Sequence, residues 1–116
     1  MTRNLISLLG SSAAMMALLI GSVFGASATV EGYRRSEFRQ LNQLILGGVM
    51  DGLIAYNQYL LAEKREPAFC LPVNLVLTVQ QADDIMLRWI EKNPTPTNMP
   101  ISVPLLLALR ETFPCK

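Results

Sequence analysis

The apolar positions change their spacing along the chain, and each change marks a different element. From Leu5 to Ala28 no side chain is charged. Leu5, Ile6, Leu8 and Leu9, then Met15 to Ile20, supply a solid apolar stretch behind the single basic side chain of Arg3. Small residues follow, ending in Ala26-Ser27-Ala28, which fits the A-x-A rule for signal peptidase. The pattern predicts an export signal over residues 1–28, cut after Ala28, with Ala26 as the second choice. The uncharged stretch is also long enough to span a bilayer, so an uncleaved anchor is the alternative. Gly10-Ser11-Ser12 and the A-x-A exit favour the cleaved signal.

From residue 36 the spacing becomes helical. Phe38, Leu41, Leu44/Ile45, Gly48/Val49, Gly52/Leu53, Tyr56 and Tyr59/Leu60 recur every three to four positions. This predicts a helix from Ser36, a good capping residue, to Ala62, with Thr29–Tyr33 as a frayed end before it. Gly47, Gly48 and Gly52 stand mid-helix, where each costs about 1 kcal/mol against Ala. Gly48 and Gly52 are four apart and share a face, which predicts helix packing there by close approach. A kink at Gly47-Gly48 is the competing account. Asp51, beside them, reads either as solvated or as a partly buried carboxylate bonded to a backbone amide. The charged Glu63–Glu66 and Pro67 make a turn.

Leu71–Leu77 resembles a strand locally, but nothing else in the chain is fit to pair with it, so it reads as an extended lead-in. Thr78 and Gln81 then form a capping box. The helix behind them buries Ala82, Ile85, Met86, Trp89 and Ile90, and Pro94 ends it. Asn93–Pro100 is a polar connection stiffened by Pro94, Pro96 and Pro100, expected at the surface. A last helix runs over Ser102–Thr112, with Pro104 in its first turn. Leu105, Leu106, Leu107 and Leu109 leave it little polar surface, so it is buried or meets a partner. The fold class is all-α: a small bundle of three helices, or four if the first breaks at its glycines, without internal repeats.

Removing residues 1–28 from 116 leaves 88, with nine basic and nine acidic side chains. That is one domain, residues 29–116, of zero formal charge, and it shows no basic excess for nucleic acid or anionic lipid. Its two cysteines, Cys70 and Cys115, bracket the last two predicted helices. In an exported chain such a pair predicts one disulfide, with two buried thiols as the alternative. The bond would close a ring of 46 residues, counted inclusively. The chain-entropy model assigns such a ring about 4 kcal/mol.

The inventory for chemistry is thin. There is no histidine, hence no usual general base and no commonest metal ligand. Asp83 and Asp84 project from different helix faces, and no glycine-rich phosphate loop exists. We expect no enzyme, no metal, no cofactor and no small-molecule substrate. A small exported stapled domain is more often a binding or inhibitor module. Its best protruding element is Asn93–Pro100, whose prolines lower the ordering cost of binding. Thr95, Thr97, Asn98 and Met99 would make the contacts, with Glu91 and Lys92 at the rim.

Several motifs occur together in order: Leu46-Gly47-Gly48-Val49-Met50-Asp51-Gly52, Phe69-Cys70-Leu71-Pro72, Thr78-x-x-Gln81, Trp89-Ile90-Glu91-Lys92-Asn93-Pro94, Ala108-Leu109 and Phe113-Pro114-Cys115. In this order and spacing the chain resembles the Rap/Tai family of small periplasmic immunity proteins, over roughly residues 40 to 115. The resemblance implies a helical, non-catalytic protein of the bacterial periplasm. Such proteins bind type VI secretion effectors that are peptidoglycan amidases and block the substrate cleft, often as a dimer. Two other classes stay open: a periplasmic acid-stress chaperone and an accessory envelope protein.

Overall fold

The computed structural model describes residues 29–35, 37 and 39–116. The predicted export signal and the Ser36 cap lie outside these residues. The described chain forms α1 (Val30–Arg34), α2 (Arg39–Ala62), α3 (Val79–Lys92) and α4 (Ser102–Thr112). Among the described residues the only β pairing is an isolated antiparallel bridge between Thr29 and Pro100. The all-α expectation therefore holds. The most extensive helix contact is between α3 and α4; α2 packs on both, and α1 on α2.

The stretch expected to fray is folded. Thr29 caps α1, its hydroxyl accepting from the Gly32 amide at 3.1 Å. Val30 and Tyr33 are buried. A five-residue helix has no stability of its own. This one is held by backbone bonds from Val30 N to Met99 O and from Glu31 N to Thr97 O, both 2.9 Å. The fourth helix thus arises at the N-terminal side of α2, not from a break in it.

Helix α2 runs unbroken through Gly47-Gly48, which removes the kink. Its buried positions are Asn42, Leu46, Met50, Asn57 and Leu60. These set its inner face, and at 100° per residue Gly48 lies about opposite Leu46 and Met50. The expected packing at Gly48 and Gly52 is therefore corrected within this chain: a Cβ at either would meet nothing within 4 Å. The close approach falls at Gly47, where a Cβ would stand 3.3 Å from Val79 Cγ2 of α3. Asp51 is exposed, as its solvated reading requires.

Helix α3 begins at the capping box read from the sequence. Thr78 Oγ1 accepts from Gln81 N at 3.2 Å and Thr78 N donates to Gln81 Oε1 at 2.9 Å. Ala82, Met86 and Ile90 are buried, while Ile85 and Trp89 are half-buried against the core. From α4 come Leu105 and Leu109, with Pro104 buried in the first turn. Phe69, Leu77 and Ile101 complete the centre from the connections.

Leu71–Leu77 is extended and unpaired, as expected, apart from a turn in which Leu75 N donates to Pro72 O at 3.1 Å. Asn74 takes φ 70° there. Ahead of it, Cys70 is bonded to Cys115, with Cα atoms 5.0 Å apart. The thiol alternative is thereby removed. Cys70 N also donates to Phe113 O at 2.8 Å. Buried Asn57 ties the same segment to α2: its Oδ1 accepts from Ala68 N at 2.7 Å and its Nδ2 donates to Phe69 O at 2.5 Å.

Candidate partner-binding surface

The connection Asn93–Pro100 leaves α3 through a closed end. Asn93 N donates to Trp89 O at 3.0 Å and its Nδ2 donates to the same carbonyl at 2.9 Å. Thr95 Oγ1 then donates to Asn93 O at 2.7 Å, and Met99 N to Pro96 O at 3.1 Å. The two bonds from α1 fasten the far half through the Thr97 and Met99 carbonyls. With three prolines and this strap, the loop is fixed before any partner arrives.

The side chains expected to make contacts fall into two groups. Thr97 and Asn98 are exposed at the tip, and Glu91 and Lys92 are exposed at the root. Thr95 is half-buried and turned back on Asn93. Met99 is half-buried and packs against the core. It therefore serves the fold, and is not simply a free contact side chain of the loop. The reason is the strap: holding the Met99 carbonyl against α1 brings its thioether over the apolar centre.

Glu91 also edges a cleft of about 400 Å³ between α1, the start of α2 and α3, which Tyr33, Arg34, Arg39, Asn42 and Asp83 line with it. Tyr33 donates its hydroxyl to Asp83. Burial first, and then this bond, hold the Tyr33 hydroxyl well above the usual tyrosine range, while the Arg39 charge pulls the other way. Asn42 Nδ2 donates to Gly32 O at 3.1 Å and Tyr33 O at 3.0 Å, fixing the turn between α1 and α2. Its Oδ1 is buried without a partner. Arg35 pairs with Glu31 at 3.5 Å, across exposed surface where such pairs contribute little.

Asn42 and Tyr33 escaped sequence reasoning. Asn42 sits on the inner stripe of α2, where a polar residue breaks the pattern, and that break was the available signal. Arg34-Arg35 followed by Arg39 was a basic cluster visible in the sequence. Of the carboxylates singled out, Asp83 is bound to Tyr33 and Asp84 to Arg88 at 2.5 Å, on separate faces. Among the described residues no three His, Cys, Asp or Glu side chains converge. The surface offers charge and hydrogen bonding to a macromolecule: a stiff convex loop beside a cleft of mixed charge.

The model of the family described as Rap1a immunity proteins matches residues 26–115. No curated protein and no solved structure matches the chain.

Proposed function

The chain belongs to the family of Rap1a immunity proteins, and from that premise we propose that it binds and inhibits a peptidoglycan amidase delivered by type VI secretion into the periplasm. The observation that carries this reading is the extent of the match, which takes in all four described helices and both cysteines. An immunity protein acts by binding its effector, and inhibition by occlusion needs no catalytic group of its own. The export pattern of residues 1–28 supports a periplasmic site of action, with the signal cut after Ala28. The match begins at residue 26, close to that point. The protein acts as a pair of copies.

The stiff loop supports the mode of inhibition. A segment already fixed by prolines and backbone bonds loses little entropy on entering a cleft. Thr97 and Asn98 at its tip enter the amidase cleft, and Glu91 and Lys92 make polar contacts at the rim. Replacing Thr97 and Asn98 by Ala leaves the strap intact, because the strap uses the Thr97 carbonyl and not its side chain. Titration of any candidate peptidoglycan amidase found encoded near this gene, with peptidoglycan cleavage as readout, tests the proposal. The double variant is expected to inhibit at least tenfold more weakly, chiefly through faster dissociation. Equal inhibition removes the loop assignment. Failure of the unaltered protein to bind that amidase removes the effector reading.

A further inference from the structure

Helix α2 has a second apolar face that none of the other described residues covers. Between Arg39 and Ala62 only Arg39 and Asp51 carry charge. A helix with one side in water normally carries its charges there. Instead Leu41 is 42% exposed, Leu44 76%, Tyr56 48% and Tyr59 54%. Gly48 and Gly52 lie between them, also exposed. At 100° per residue these six positions fall on one side of the helix.

Their order has a symmetry. Leu41 and Tyr59 are equidistant from residue 50, and so are Leu44 and Tyr56, and Gly48 and Gly52. Residue 50 is also the middle of the 24-residue helix, to within half a residue. A two-fold axis through that point sets the stripe on an antiparallel copy of itself. Each leucine then meets a tyrosine, and glycine meets glycine at the centre. The glycines cost helix propensity, and nothing among the described residues uses the space they leave. Two helices crossing at Gly48 and Gly52 would use it, since absent side chains let backbones approach closely. The tyrosines are set for such a role, with ring centroids 6.3 Å apart and planes inclined by 26°. Aromatic rings with a polar tip suit an interface that is partly wet.

We propose that a second copy of this chain covers the outer face of α2, packed antiparallel about residue 50. This interface rests on the reading that the protein acts as a pair, and it adds the helix, the direction and the register. It leaves the loop Asn93–Pro100 of each copy free for an effector, because none of its residues belongs to the stripe. An isologous contact of this kind closes on itself and does not propagate.

Cysteine pairing reads the register. Leu44→Cys and Tyr56→Cys are made singly, and the two variants are co-expressed with different tags and oxidised under mild conditions. The expected result is a cross-link between Leu44→Cys and Tyr56→Cys chains. Leu44→Cys alone is expected to give none, since two copies of position 44 stand about 18 Å apart along the axis, twelve residues at 1.5 Å each. Self-linking of Leu44→Cys would signify a parallel pair and overturn the proposal. A protein that sediments as a dimer yet forms no 44–56 link keeps the pair and loses this interface. A protein that sediments as a monomer at micromolar concentration loses both. Should the monomer float with phosphatidylglycerol vesicles, the stripe belongs to lipid. As a second variant, Gly48→Trp is expected to dissociate the pair while leaving the helical circular dichroism unchanged, because its side chain meets open space in the single chain.

Discussion

Replacing Asn57 by Ala tests how α2 holds the segment that leads into the disulfide. The amide bonds both Ala68 N and Phe69 O, so truncation removes a donor and an acceptor together. Phe69 is 1% exposed, and water cannot replace the lost donor to its carbonyl. A buried acceptor left bare costs about 2 kcal/mol. Ala68 is half-buried, and its amide recovers part of its bond from solvent, so that side costs about 1 kcal/mol. The sum of about 3 kcal/mol is a large share of the roughly 5–15 kcal/mol available to a domain of this kind. At 4–8 °C per kcal/mol the melting point should fall by roughly 12–24 °C. Thermal melts followed by circular dichroism, with the disulfide intact, measure it, and amide exchange at Ala68 should accelerate in parallel. Asn57→Asp refines the test. It keeps the acceptor for Ala68 N and sets a carboxylate oxygen against the Phe69 carbonyl, so it should be worse than Ala at neutral pH. In acid its carboxyl regains a proton to donate, and part of the loss should return. A melting point for Asn57→Ala within 3 °C of the unaltered protein would refute the clamp.

Three further outcomes are expected. Gly47→Leu should lower the urea midpoint, through overpacking of about 1–3 kcal/mol against Val79; Gly48→Leu, in dilute solution where single chains prevail, should match or exceed the original through a helix-propensity gain of about 1 kcal/mol, and the reverse order would contradict the facing of α2. Tyr33 has its folded pKa raised above the ordinary tyrosine value of 10.0, so its contribution is full below pH 10 and is lost as pH rises from there. Stability should thus decline above pH 10 by up to about 1.4 kcal/mol per unit from this group, and Tyr33→Phe should flatten that slope in urea melts taken between pH 9 and 11. Protein recovered from the periplasm should have an intact mass that begins at Thr29 and should show no alkylatable thiol until reduced; a mass retaining residues 1–28 would reverse the cleavage assignment.

The elements legible in the sequence were those specified locally. Thr78 and Gln81 declare the start of α3 within four residues, and Pro94 and Pro114 declare where helices stop. Helix α1 was not legible because its stability is borrowed from residues about seventy positions away, at Thr97 and Met99. The facing of α2 was misread for another reason: both of its sides are apolar, so hydrophobic periodicity fixes the period and leaves the phase open. Gly48 and Gly52 lay on the wrong side of that ambiguity, and Gly47 took the role expected of them. Asn42 and Asn57 were invisible to apolar spacing, since they earn burial by bonding backbone groups of neighbouring segments. At the proposed binding surface, Thr97 and Asn98 stand out as polar residues among prolines should. Met99 did not, because only the fold-back of the loop over the core gives it a second duty.

The bridge between Thr29 and Pro100 has a consequence for the order in which the molecule can assemble. A polypeptide crossing a membrane N-terminus first would bring out Thr29 and Val30 long before the loop that holds them. The last third of the sequence must emerge before α1 gains its backbone bonds to Thr97 and Met99, and Cys115 must emerge before Cys70 has a partner. In such a crossing both closures would wait until translocation is nearly over. The emerging chain would stay threadable through a narrow conduit and would lock only once its far end had arrived.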